Sequence, residues 1–254
     1  MFVQAQRICN RDPAPVTAQL IEQTVRGGLQ RDVGDRVMFS EQLIHRLPQA
    51  VGVQIADKCG LSLSVHMPAF QGELGELIDI LRPGDIFCHV YTPQKGILED
   101  GVVSREMTRA VEKGIVLESA CGKGHFGHDC AAAVLSAGIK PDIISGDFTR
   151  KTLHYQPAFS LPYLMSRFLA LGMSFADVFP CRTSTPAKKM GMEGEIGCLK
   201  PGAHGNIAVF KRREGRFTFA DVRDSRITGE ELLVPMLTVW EGDLVYRNGE
   251  LITF

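Results

Sequence analysis

With 254 residues the chain has room for one large domain or two modest ones, and for a full core. Its 28 Lys and Arg against 29 Asp and Glu leave a net charge of -1 and a pI near 6.7, so no long-range field would gather nucleic acid or an anionic membrane surface. A composition that is 44% hydrophobic and 22% charged is that of an ordinary folded chain, and no apolar run approaches the roughly 18 residues of a membrane helix.

The amino end, MFVQAQRICNRDPAPV, has no sustained apolar core after a basic start, which predicts a cytoplasmic protein without a secretory leader. Seven cysteines form an odd, scattered set with no C-x-x-C pair, which argues against a disulfide framework or a thiolate zinc site.

From residue 36 to residue 147 the chain alternates short apolar runs with helical patterns. RVMF (36–39), LSLSVH (61–66), DIFCHV (85–90), IVLESA (115–120) and DIISGD (142–147) read as five parallel strands buried on both faces, each preceded by a turn signal. Between them QAVGVQIADKCG, GELGELIDILR, SREMTRAVEKG and DCAAAVLSAG place apolar residues at helical spacing, with Ser104 as an N-cap and Glu106 in the first turn. LPYLMSRFLALGMS and FADVFPCRTSTPAKKMG give two more helices, the second broken around Pro180. From Ile196 the period changes to two, and Asn248-Gly249 is the strongest hairpin cue in the chain. These patterns predict an α/β region over 1–195 and a small β appendage over 196–254.

In a parallel α/β fold, chemistry gathers at the carboxyl ends of the strands. Those ends present Ser40, His66, His89, the Glu118 to Cys121 stretch and Asp147. Two imidazoles and a carboxylate at comparable strand ends would meet in one cavity, and they are ligand types that zinc takes in hydrolytic sites. His66, His89 and Asp147 are therefore the expected metal ligands, with Asp147 also the base toward a metal-bound water. Each could instead be a hydrogen-bonded residue of the core.

A rival motif lies in the same region. Gly122-Lys123-Gly124-His125-Phe126-Gly127 spells the dinucleotide fingerprint between a strand and a helix, with Asp147 20 residues beyond Gly127. The alternative is a Gly-rich loop whose amides, with Lys123, Gly124 and His125, touch an anionic group of a substrate. His45, His154 and His204 sit in polar or turn contexts and read as solvated, while His128 stays open. Cys121 has no evident base beside it and reads as an inert thiol.

The series SVHM, GDIFCHVY, ESACGKGHF, PDIISGDF, LPYLMSRFLALGMSFADVF, STPAKKMG and GCLKPGAHGNIAVF resembles the amidohydrolase superfamily, in its dihydroorotase-like deacetylase branch, from about Val16 to Trp240. The resemblance implies a (β/α)8 barrel with a small β domain, and hydrolysis of amides or esters, including N-acetyl and O-acetyl groups, at one or two divalent metals. It places His66 on barrel strand five, His89 on strand six and Asp147 on strand eight, so that the fold expected is a partial TIM barrel of about strands 4 to 8 with a small carboxy-terminal β segment. The substrate would be a small molecule with an acylated amine or hydroxyl.

The family's H-x-H pair does not occur in this sequence, its carboxylated lysine falls nearest Arg36, which cannot form a carbamate, and Cys121 stands where a histidine is usual. The expectation is thus one zinc or none, weak activity, an apparent amino-terminal truncation and self-association through open strand edges, with a non-catalytic remnant or subunit fragment as the alternative.

Overall fold

The computed structural model describes residues 29–32, 36–39, 53, 56–70, 72–93, 96–150, 152–248 and 250–251. Half of QAVGVQIADKCG, the stretch from Val16 where the family resemblance begins, Ser40 and His45 lie outside the described residues. The chain divides into two compact units, Met1–Val90 with Gln94–Glu118, and Tyr91–Pro93 with Ser119–Phe254.

The first unit is built on a five-stranded sheet. Strands β1 (Leu29–Asp32), β2 (Arg36–Phe39), β3 (Leu63–His66) and β4 (Ile86–Cys88) are joined, after the short hairpin β5 (Leu98–Glu99) and β6 (Val102–Val103), by β7 (Val116–Glu118) in the order β1-β2-β3-β4-β7. From β2 onward the neighbours are parallel. The strands β4 and β7 are buried along their whole length, as apolar runs covered on both faces should be. The outermost strand differs from the expectation. β1 pairs antiparallel with β2, Asp32 opposite Arg36, so the strand headed by Arg36 is flanked on both sides rather than lying at the edge.

Helices α1 (Leu74–Ile80) and α2 (Arg105–Glu112) turn Leu74, Leu77, Ile78, Met107 and Ala110 inward. Glu73 and Glu76 form a capping box at the start of α1. Ser104 occupies the N-cap position of α2, but its hydroxyl donates to the Gly96 carbonyl at 2.5 Å and does not cap the helix. Asp85, buried just before β4, accepts from the Leu63 and Arg82 amides, both at 2.7 Å, and ties the entrance of β3 to that of β4. The Arg82 guanidinium donates to the same carboxylate, and this hydrogen bond raises its already high pKa.

The second unit contains α3 (His128–Ser136), α4 (Leu161–Ala170), α5 (Phe175–Val178), a 3-10 turn at Pro180–Arg182 and α6 (Ser184–Lys189), so Pro180 breaks the helical run as its sequence requires. Ser160 caps α4 and accepts from the Tyr163 amide. The stretch 142–147 is not a regular strand. Ser119, Cys121 and Gly122 donate backbone amides to the Ile143, Ser145 and Gly146 carbonyls, which hold the segment beside 119–122 without closing a full ladder. The appendage is an antiparallel sheet of β8 (Ile207–Ala220), β9 (Arg226–Trp240), β10 (Asp243–Arg247) and β11 (Glu250–Leu251), in the order β11-β10-β9-β8. Arg247 pairs with Glu250, the residues that flank Asn248-Gly249, where the sequence places its hairpin cue. The sheet is joined to α4 where the Leu233 amide donates to Ser166 Oγ at 2.8 Å.

Candidate active site

In the first unit two of the expected ligands come together. His66 is the last residue of β3 and His89 follows β4 directly, so the parallel register that opposes His66 to Cys88 brings the two imidazoles to one end of the sheet. His89 Nε2 lies 2.8 Å from His66 Nδ1, and the rings meet edge to face with centroids 4.5 Å apart. His89 is buried and has φ 65°, a left-handed conformation that costs a non-glycine residue and recurs at functional sites. The turn it imposes aims the ring along the sheet end toward His66. Two nitrogens sharing one tetrahedral zinc would stand about 3.4 Å apart, at bonds of about 2.0 to 2.1 Å. The pair would need to open by about half an ångström, and two neutral imidazoles suit a borderline divalent cation.

A polar row lies in the same sheet. Ser64 Oγ is 3.1 Å from Cys88 Sγ, which donates to Glu118 Oε2 at 2.8 Å, and all three residues are buried. In sequence the Glu118 to Cys121 stretch is only a strand end, because a single glutamate among apolar residues does not reveal that its register partner is Cys88.

In the second unit Asp147 and the glycine-rich loop come together. Asp147 has φ 45° and is exposed, and Gly122 has φ 46°. A Cβ on Gly122 would meet Asp147 Oδ2 at 2.5 Å, so glycine is required there to admit the carboxylate. Gly124 has open space around the position of a Cβ. Beyond it, Gly127 is the N-cap of α3 and packs on Pro93. The carboxylate thus occupies the turn where the dinucleotide fingerprint would seat a pyrophosphate, a like-charge arrangement that disfavours that use. Lys123 and Gly124 are exposed and His125 is half-buried on this loop.

Cys121 is fully buried, and burial pushes its thiol up against the opposing influence of Arg167, which fits an inert thiol. His128 is buried as well; burial, then the nearby Arg167, lowers its pKa and keeps it neutral. Burial alone would push Asp221 up, but the amides of His128, Arg223 and Ser225 outweigh it and hold the carboxyl below its usual range. His128 and Asp221 therefore hold the start of α3 in place. His154 and His204 are exposed, as expected, and His204 pairs with Glu241.

No protein-family model matches the chain. It is 28% identical over 167 residues to a deacetylase of Brucella anthropi, covering 64% of this chain and 40% of that protein. A deacetylase of Agrobacterium fabrum is 28% identical over 165 residues, with the same coverage of each. A deacetylase of Enterococcus faecalis is 22% identical over 244 residues, 93% of this chain and 66% of that one. The match to these curated relatives thus spans from 40% to 66% of their length.

Among solved structures, an adenine deaminase aligns with a TM-score of 0.74 at 22% identity, over 78% of this chain and 55% of that one. A dihydroorotase aligns with a TM-score of 0.66 at 23% identity, over 78% and 54%. These alignments show an α/β fold shared with that deaminase and that dihydroorotase. The resemblance to the amidohydrolase superfamily, carried in sequence by the motifs around His66, His89 and Asp147, holds against deacetylases in sequence and against a deaminase and a dihydroorotase in fold.

Proposed function

We propose that the chain is a metal-dependent hydrolase of amide or ester bonds, acting on a small molecule with an acylated amine or hydroxyl. The observation that carries the reading is the His66–His89 pair, two imidazole nitrogens 2.8 Å apart with His89 held in a left-handed turn. Its fold would be a partial TIM barrel, with β2, β3, β4, β7 and the segment 142–147 as barrel strands four to eight. The deacetylase relatives support the substrate class.

His66, His89 and Asp147 would hold one divalent cation, zinc by the chemistry of the donors, since two histidines and one carboxylate form a common hydrolytic ligand set. When bound, the cation supplies Lewis acidity that brings a water toward hydroxide near neutral pH. Asp147 takes the proton of that water and later returns it to the leaving amine or alkoxide. Lys123, the Gly124 amide and His125 orient the substrate through an anionic group, for which the loop offers a cation and backbone donors.

The test is hydrolysis of a panel of N-acetyl and O-acetyl compounds by the zinc-loaded chain. Turnover that is lost in both His89→Ala and Asp147→Asn supports the reading. Metal analysis of His125→Ala assigns that imidazole, since retained zinc with a raised KM places it on the substrate. A chain that hydrolyses none of the panel, with or without zinc, favours the non-catalytic alternative.

A further inference from the structure

We propose that Glu118 is the counter-charge of the metal centre, a positioning residue that acts on the cation from the sheet floor without touching substrate. The inference rests on the reading of His66 and His89 as ligands. His66 pairs with Cys88 on β4, and Cys88 pairs with Glu118 on β7. Residues opposed in this way point to the same face of a sheet, so the three side chains form one row. Adjacent strands stand about 4.8 Å apart, which puts the Glu118 backbone about 10 Å from that of His66.

Glu118 is 8% exposed, and Cys88 Sγ donates to its Oε2 at 2.8 Å. No lysine or arginine pairs with it among the described residues. A thiol is a weak donor and carries no charge, so a cation bound at the end of this row would be the counter-ion that Glu118 lacks among the described side chains. The imidazole pair supplies the complementary need, for both rings are neutral and a dication held by them and the single Asp147 carboxylate keeps a net positive charge. Ser64 and Cys88 relay the alignment, since Cys88 touches Ser64 on one side and Glu118 on the other and is followed directly by His89.

This role has a signature that a purely structural one lacks. Glu118→Gln keeps the shape and can still accept from Cys88, but removes the charge. Outer partners of metal sites contribute about 10- to 100-fold in affinity. Zinc titration of the full chain against a competing chelator should therefore give a dissociation constant raised by about that factor in Glu118→Gln. The metal-free variant should melt close to the wild-type temperature, because the amide keeps the shape and the contact with Cys88. Glu118→Asp, which retains the charge, should bind zinc closer to wild type than Glu118→Gln does.

Zinc affinity unchanged in Glu118→Gln would overturn the proposal while leaving the histidine site standing. A metal-free Glu118→Gln that melts well below wild type would overturn it in favour of a packing role. A wild-type chain that binds no zinc overturns both this proposal and the metal reading, and is thereby distinguished from failure of this one alone.

Discussion

At His89 and Asp147 the backbone enters the left-handed region, at φ 65° and 45°, and both are residues that the sequence pattern marks as ligands. Strain of this kind costs about 1–3 kcal/mol for a non-glycine residue and persists only where the surroundings impose it. Gly122 shows the same economy from the other side. Its φ of 46° and the 2.5 Å approach of Asp147 to the position of a Cβ leave no room for a methyl group. Gly122→Ala should therefore lose about 1–3 kcal/mol in urea unfolding and displace the Asp147 carboxylate, lowering hydrolysis; unchanged stability would show that the loop yields at no cost. Cys121→Ser should retain the hydrolytic rate of the wild type, since burial holds the thiol protonated. A large loss of turnover in that variant, or rapid alkylation of Cys121 in the native chain, would return it to the list of nucleophiles.

The parallel strands from β2 to β7 are legible at the scale of elements because buried strands are near-continuous apolar runs bounded by Gly and Pro turns, and four of the five expected runs contain strands. His66 and His89 were legible for the same reason, since strand ends are where side chains leave the core. The fifth run, DIISGD, carries a Gly before its terminal Asp and only a partial set of backbone bonds, so its apolar pattern overstated its regularity. Strand β1 was invisible because LQRD has no apolar alternation and owes its pairing to the β2 edge. The Cys88–Glu118 contact depends on cross-strand register, which no single run of residues encodes. Sequence also left His128 open, and its role follows from burial beside Asp221 at the start of α3.

The unfolded chain protonates His128 near 6.5, while the folded chain resists until lower pH. Stability is then complete above that value and falls as the pH drops below it. The depressed Asp221 carboxyl adds a second loss further down, below its ordinary 3.8. Melting temperatures taken from about pH 7.5 to about pH 5 should fall in the wild type and flatten in His128→Gln; equal slopes in the two would remove His128 from the account.

For the whole molecule, similarity and geometry carry different parts of the reading. The deaminase and dihydroorotase alignments establish the fold, and the deacetylase relatives bear on the substrate class without fixing a substrate. Two sheet edges bear on assembly. β1 ends one sheet and β8 the other, and β8 leaves Ile207 41% and Val209 45% exposed, although Lys211, Arg212, Arg213 and Arg216 along it blunt the edge. We expect self-association, read by size-exclusion chromatography with light scattering, and a stable monomer with a sharp melt would contradict it.

If His66 and His89 share one divalent cation, the metal must depend on both imidazoles. Metal analysis of the purified full chain after zinc loading and removal of loose metal tests it most directly, with His66→Ala and His89→Ala as partners whose fold is verified by circular dichroism. About one equivalent of zinc is expected in the wild type and none in either folded variant. Zinc retained in both variants, or absent from the wild type, would contradict it.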